Sequence, residues 1–205
     1  VNLTLNTSTD ATASSDLGSD TVVNVENVLG SNTGTDILEG DSAVNILDGQ
    51  GGDDTLVATS GDDTLDGGSG TDEVSFVNST TGVTLTLDTS NSVTASSDLG
   101  SDVVVNIENV RGSSSSDTIT GDSADNVLMG ESGDDKLDGG TGADTLEGGA
   151  GADILTVSAG DDTLDGGADN DTVDFSSSTG VNLTLNTSTD ATASSDLGSD
   201  TVVNV

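Results

Sequence analysis

The stretch Gly139-Gly140-Thr141-Gly142-Ala143-Asp144-Thr145-Leu146-Glu147, followed at once by Gly148-Gly149-Ala150-Gly151-Ala152-Asp153-Ile154-Leu155-Thr156, decides how this chain folds. Both phrases are nine residues long and place glycine, aspartate and a large apolar residue at the same positions. Working outward, Val110, Ile119, Leu128, Leu137, Leu146, Leu155, Leu164 and Val173 stand nine residues apart. So, earlier, do Leu38, Leu47, Leu56, Leu65, Val74 and Val83. One apolar residue in nine fits neither the 3.6 period of a helix nor the alternation of a long strand. It fits a three-residue strand whose middle side chain points inward, followed by a six-residue turn. Two such units make one flattened coil, and stacked coils bury a continuous apolar ladder at a strand spacing of about 4.8 Å. A low-complexity Gly/Ser/Asp linker is the alternative, but a linker has no reason to hold leucine on a lattice.

Composition sets a condition on that fold. Thirty-eight acidic residues face only Arg111 and Lys136, and with no histidine the formal charge is −36. Self-repulsion at this charge opposes a compact state, so something must neutralise the carboxylates if the chain folds, and a multivalent cation is the obvious candidate. Nucleic acid and anionic membranes are excluded as partners, because both are bound through Lys and Arg. No apolar run approaches the ~20 residues of a membrane span, so membrane insertion is not expected. There is no Cys, hence no disulfide, and no Pro to interrupt interior strands.

The phrases resemble the calcium-binding nonapeptide of the repeat-in-toxin (RTX, haemolysin-type) family, G-G-x-G-x-D-x-U-x with U large and apolar. Residues 67–75, 139–147 and 148–156 match every defined position. Gln50 and Glu131 replace the second glycine, and Asn45 and Asn126 replace the aspartate. The resemblance implies an all-β, right-handed parallel β-roll (a β-solenoid) with two nonapeptides, about 18 residues, per coil. It also implies Ca²⁺ ions held between coils by the repeat aspartates. Carried over by position, Asp36, Asp54 and Asp72 form one row, with Asn45 and Asp63 opposite. In the second block Asp117, Asp135, Asp153 and Asp171 face Asn126, Asp144 and Asp162. The two asparagines keep an oxygen but lose a charge, so weaker or empty positions are expected there. Asp53, Asp62, Asp134 and Asp161 lie beside the ligand position and read as solvated turn charge.

Other segments leave the lattice. Val83, Leu85 and Leu87 alternate, as do Val103, Val105 and Ile107, which is the period of longer strands. Residues 181–205 are identical to 1–25, and the segment from Val83 is a looser copy. The repeat that returns to itself therefore runs from Val1 to Gly180, in unequal halves 1–82 and 83–180, and closes on twenty nine-residue steps. The chain reads as one continuous solenoid over 1–205, one repeat plus the overlap 181–205. Nonapeptide blocks lie at 29–83 and 110–173; wider coils, without the glycine–aspartate turn, lie at 1–28, 84–109 and 181–205. A small separate sheet is the alternative for these wider segments. Concatenated, the unit predicts a straight rod of roughly 43–48 Å per repeat. Both ends stop inside apolar strand segments, so neighbouring repeats, or identical copies stacked end to end, are the expected partners, with lateral self-association as a second mode.

These features point to a structural role: a calcium-stiffened rod in a secreted or surface-attached bacterial protein, as filament, giant-adhesin extender or surface layer. Extracellular location and one-step (type I) export as an unfolded chain are what the resemblance implies. A module recognising carbohydrate, ice or another cell is the alternative, although the outward residues Thr55, Thr64, Glu73, Lys136 and Ile154 form no regular array. Catalysis is not expected, since the chain has no His, Cys or Tyr and no nucleophile motif.

Overall fold

The computed structural model describes residues 2–4, 11–15, 18–22, 25–88, 93–183, 191–195 and 197–205. Among them are twenty-three strands and no helix. Each nine-residue step carries the chain from one sheet to the other. Ile37–Glu39 pairs in parallel with Thr55–Val57, which pairs with Glu73–Ser75. Between them, Ile46–Asp48 pairs with Thr64–Asp66 in the opposite sheet. Strand partners such as Leu38 and Leu56, or Leu47 and Leu65, are thus two nine-residue steps apart, one coil of the solenoid. The second block repeats the arrangement, Leu128, Leu146 and Leu164 stacking in one sheet and Ile119, Leu137 and Leu155 in the other. In the three-residue strands of the nonapeptide blocks the central side chain is the one that packs into the core, and the lattice residues from Leu38 to Leu164 are almost completely buried.

Glycine makes the turns possible. Gly151 has a φ of 139°, and a β-carbon there would overlap the carbonyl oxygen of Gly133 in the preceding coil. Where the nonapeptide loses its second glycine, the backbone keeps the same left-handed conformation, with φ of 71° at Gln50 and 77° at Glu131. Their glycine counterparts Gly68, Gly140 and Gly149 lie at 94°, 89° and 108°. Coil stacking therefore imposes the conformation, and the two substituted side chains carry its strain.

The coil containing residues 84–105 is wider: Val74 and Val110 are neighbours in one sheet although four nine-residue steps, not two, separate them. The extra chain forms an antiparallel meander inside the opposite sheet, a pairing that alternation alone does not reveal. Ser101–Val105 lies parallel to Thr64–Asp66 and antiparallel to Val93–Ser96. Val93–Ser96 meets Thr84–Thr86, which returns to parallel pairing with Thr118–Thr120. Thr84 and Thr86 face outward, and Leu85, Ala95 and Val104 continue the core. Two strands, Thr84–Thr86 and Val93–Ser96, are thereby added to one sheet and not to the other. A cavity of about 110 Å³ opens beside them, lined by Leu87, Val93, Val104 and Ile107 together with Asn106 and Glu108. The first and third copies of this segment form the same meander, but in the other sheet, at its two ends.

Replacing Gly151 with alanine is expected to cost at least ~3 kcal/mol, because it combines a left-handed φ with a collision against backbone that cannot yield. Urea unfolding in saturating calcium would measure this, and an unchanged midpoint would show that the coils can separate to admit a methyl group.

Candidate metal centre

Each repeat aspartate sits at the end of a turn, two residues before the inward-facing strand residue. This placement drives the carboxylate under the preceding coil, where one oxygen meets a backbone donor. Asp54 Oδ1 accepts from Asp36 N–H (2.7 Å), and Asp72 Oδ1 from Asp54 N–H (2.8 Å). The opposite row runs Asn45 to Asp63 (2.8 Å) in the same way. In the second block Asp135, Asp153 and Asp171 accept from Asp117, Asp135 and Asp153 at 2.7, 2.8 and 3.0 Å. Asp144 and Asp162 accept from Asn126 and Asp144 at 2.9 and 3.0 Å.

The second oxygen divides the twelve sequence-designated residues into two groups. In Asp54, Asp72, Asp135, Asp144, Asp153 and Asp171, Oδ2 is buried and has no hydrogen-bond partner. In the others a protein donor approaches the free side. Ser31 N–H and hydroxyl reach Asp36; Thr59 Oγ1 donates to Asp63 (3.1 Å), Ser113 N–H to Asp117 (2.7 Å) and Ser158 Oγ to Asp162 (3.5 Å). Asn45 and Asn126 accept from Asp41 and Asp122 N–H, and their amide groups donate to the carbonyls of Glu26 and Glu108.

The unpartnered oxygens face glycine. A β-carbon on Gly148 would overlap Asp153 Oδ2 and stand 2.6 Å from Gly166 O in the next coil. Gly49 stands in the same relation to Asp54 and Gly67 O, and Gly130 to Asp135 and Gly148 O. At these three positions carboxylate and carbonyl oxygens thus border one space that only glycine leaves open. Among the described residues, no three carboxylates gather closely enough to hold an ion by themselves. The donor set is all oxygen, mixes carboxylate with backbone carbonyl, and fits a hard cation that takes six to eight such ligands.

Three row members lie outside the nonapeptides and escape the sequence designation. Asp102 and Asp200 are fully buried, accept from Asp63 N–H (3.0 Å) and Asp162 N–H (3.2 Å), and leave Oδ2 unpartnered. Glu108 Oε2 accepts from Asp72 N–H (2.8 Å) and carries the first row across the wide coil. The signal was present in Ser97-Asp98-Leu99-Gly100-Ser101-Asp102-Val103-Val104, which keeps one glycine, the aspartate and the apolar residue of the repeat. The flanking aspartates are exposed turn residues that also brace the stack. Asp53, Asp62, Asp134 and Asp161 accept backbone N–H groups of Thr71, Ser101, Ala152 and Ser199 one coil on, at 2.9–3.0 Å, because stacked turns place those donors beside them.

Fold and site together define a β-roll of the calcium-binding kind. The sequence profile of the RTX calcium-binding nonapeptide repeat matches four times, at residues 31–59, 48–75, 111–146 and 138–173, and the chain belongs to that family. Its repeats bind Ca²⁺. Among solved structures, the extracellular lipase LipA from Serratia marcescens is similar at 17% identity and a TM-score of 0.28, over 87% of this chain. The chain spans 40% of that lipase. Comparison with curated protein sequences gave no match.

Burial, reinforced by neighbouring carboxylates, pushes Asp72, Asp102 and Asp144 up to about 6 and Asp135 up to about 7. Asp98 moves the other way, held below the usual range by hydroxyls of Ser79 and Thr80. A raised folded-state pKa stabilises the fold below the unfolded value near ~4, and that stability is lost as pH rises through about 6–7. In chelator, acidification from pH 7 to about 5 is therefore expected to increase β-structure in far-UV circular dichroism. A loss of β-signal over that interval would contradict the burial of these carboxyls.

Proposed function

We propose that this chain is a calcium-stiffened structural repeat, a rod segment of a secreted or surface-attached bacterial protein such as a filament, an adhesin extender or a surface layer. One observation carries it: eight buried carboxylate oxygens without a protein partner lie in rows running along the solenoid. Rows of this kind have no use for a substrate and a direct use for an ion shared between coils. Asp54, Asp135 and Asp153, each with a glycine carbonyl beside it, and Asp72, Asp144 and Asp171 hold the ions. Asp36, Asp63, Asp117 and Asp162 close their coils through the Ser and Thr donors above, and Asn45 and Asn126 through backbone N–H groups. Binding removes charge and joins coils in one event, so metal affinity is folding free energy.

The same coupling suits export as an unfolded chain followed by folding where calcium is millimolar. Stacking with neighbouring repeats or further copies covers the strand edges at each end of the sheets. No catalytic role is assigned to these residues, since every buried carboxylate here serves a row.

Far-UV circular dichroism during a calcium titration, with magnesium as control, tests this reading. A cooperative coil-to-β transition specific to calcium is expected. Asp135→Asn should move its midpoint to higher calcium by about tenfold, on the order of 1.4 kcal/mol, whereas Asp162→Asn should move it much less. A chain already β-structured in chelator at pH 7 would remove calcium as the organising ion.

A further inference from the structure

We infer that the segments outside the nonapeptides complete a calcium position at each junction with a nonapeptide block, through the backbone carbonyl of Asn106 at one junction and of Asn204 at the other. The inference rests on the calcium reading above and adds ligands that the family's matched segments, ending at residues 75 and 173, do not contain.

At the first junction Asp72 is fully buried, with Oδ1 engaged by Asp54 N–H and Oδ2 without a partner. The glycine facing it is Gly67, whose β-carbon would stand 2.7 Å from Asp72 Oδ2 and overlap Asn106 O. In the regular coils the second oxygen belongs to a glycine one full coil on, as Gly166 O does for Gly148. No such glycine follows Gly67, because the chain departs into the meander, and Asn106 takes its place from the far side of that excursion. Asn106 holds a left-handed φ of 49°, which turns its carbonyl toward the site. Its side-chain amide donates to Asp66 Oδ1 (2.8 Å) and pins the turn. Asparagine is the side-chain-bearing residue that best tolerates this backbone.

The second junction repeats the arrangement around Asp171, which is part-buried where Asp72 is fully buried. Asp171 Oδ2 is unpartnered, and a β-carbon on Gly166 would stand 2.6 Å from it and overlap Asn204 O. Asn204 has a φ of 48° and donates to Asp165 Oδ1 (2.9 Å). The two junctions lie in opposite sheets, so the recurrence does not come from shared surroundings. Each asparagine therefore acts as a ligand through its main chain and as a positioning residue through its side chain.

Calcium bound per chain at saturation, measured by equilibrium dialysis on the full chain, tests the assignment. A valine pair, Asn106→Val with Asn204→Val, cannot hold the left-handed turn and is expected to lose two ions. A glycine pair, Asn106→Gly with Asn204→Gly, keeps the turn and should retain the wild-type number. Asp72→Asn with Asp171→Asn, close to isosteric and so able to fold, should lose the same two ions. Wild-type stoichiometry in either the valine or the Asp→Asn pair overturns the inference. Absence of calcium binding by the unmodified chain would instead overturn the underlying calcium reading.

Discussion

In each regular coil an aspartate gives one carboxylate oxygen to the backbone N–H of the coil before it, while the other lies against glycine and the carbonyl of the coil after it. Everything else follows from how that arrangement is balanced. A buried leucine contributes roughly 1.5–3 kcal/mol, and each coil supplies two. An unneutralised buried carboxylate costs several kcal/mol, and most coils supply two of those as well. The apolar ladder alone therefore does not outweigh the rows, and the chain carries 38 acids against two basic residues. Protonation or a bound cation decides the sign. This is why the interior can be so thin, one Leu or Val per strand, and still belong to a defined fold.

The lattice was legible because a nine-residue period has few physical meanings. Leu38, Leu47, Leu56 and Leu65 could be assigned to the core from spacing alone, and all four are fully buried. Glycine at the turn and aspartate at its end were equally readable, since the spacing of one fixes that of the other. The difference between Asp153 and Asp162 was less visible. Both stand in phase, but Gly148 faces the first whereas Val157 and Ser158 precede the second. That distinction lies in residues five and four positions upstream, not in the ligand itself.

What sequence could not settle was partner choice. Alternation in 83–109 announces longer strands, but antiparallel return within one sheet and continuation around a wide coil bury the same faces. Asp102 was hidden for a related reason: it looks like a strand residue until its strand is placed beside Thr64–Asp66. Placed there, it becomes the next member of the row that contains Asn45 and Asp63.

The alternation of meanders between sheets has a consequence for any array of this repeat. Adding two strands to one sheet alone lengthens that side of the solenoid by about 9–10 Å, at ~4.8 Å per strand, and must turn its axis. The halves 1–82 and 83–180 each span an odd number of nine-residue steps, give or take one residue, so successive meanders fall on opposite sides. The 13-stranded sheet counts one meander twice, at its two ends; taken once, it has ten strands per repeat, the same as its partner. Deflections thus cancel in pairs, giving a zigzag column without net curvature. Parity, rather than length, keeps it so. Removing a single nonapeptide from either half would align the meanders on one side, and the same sequence chemistry would then wind into a superhelix.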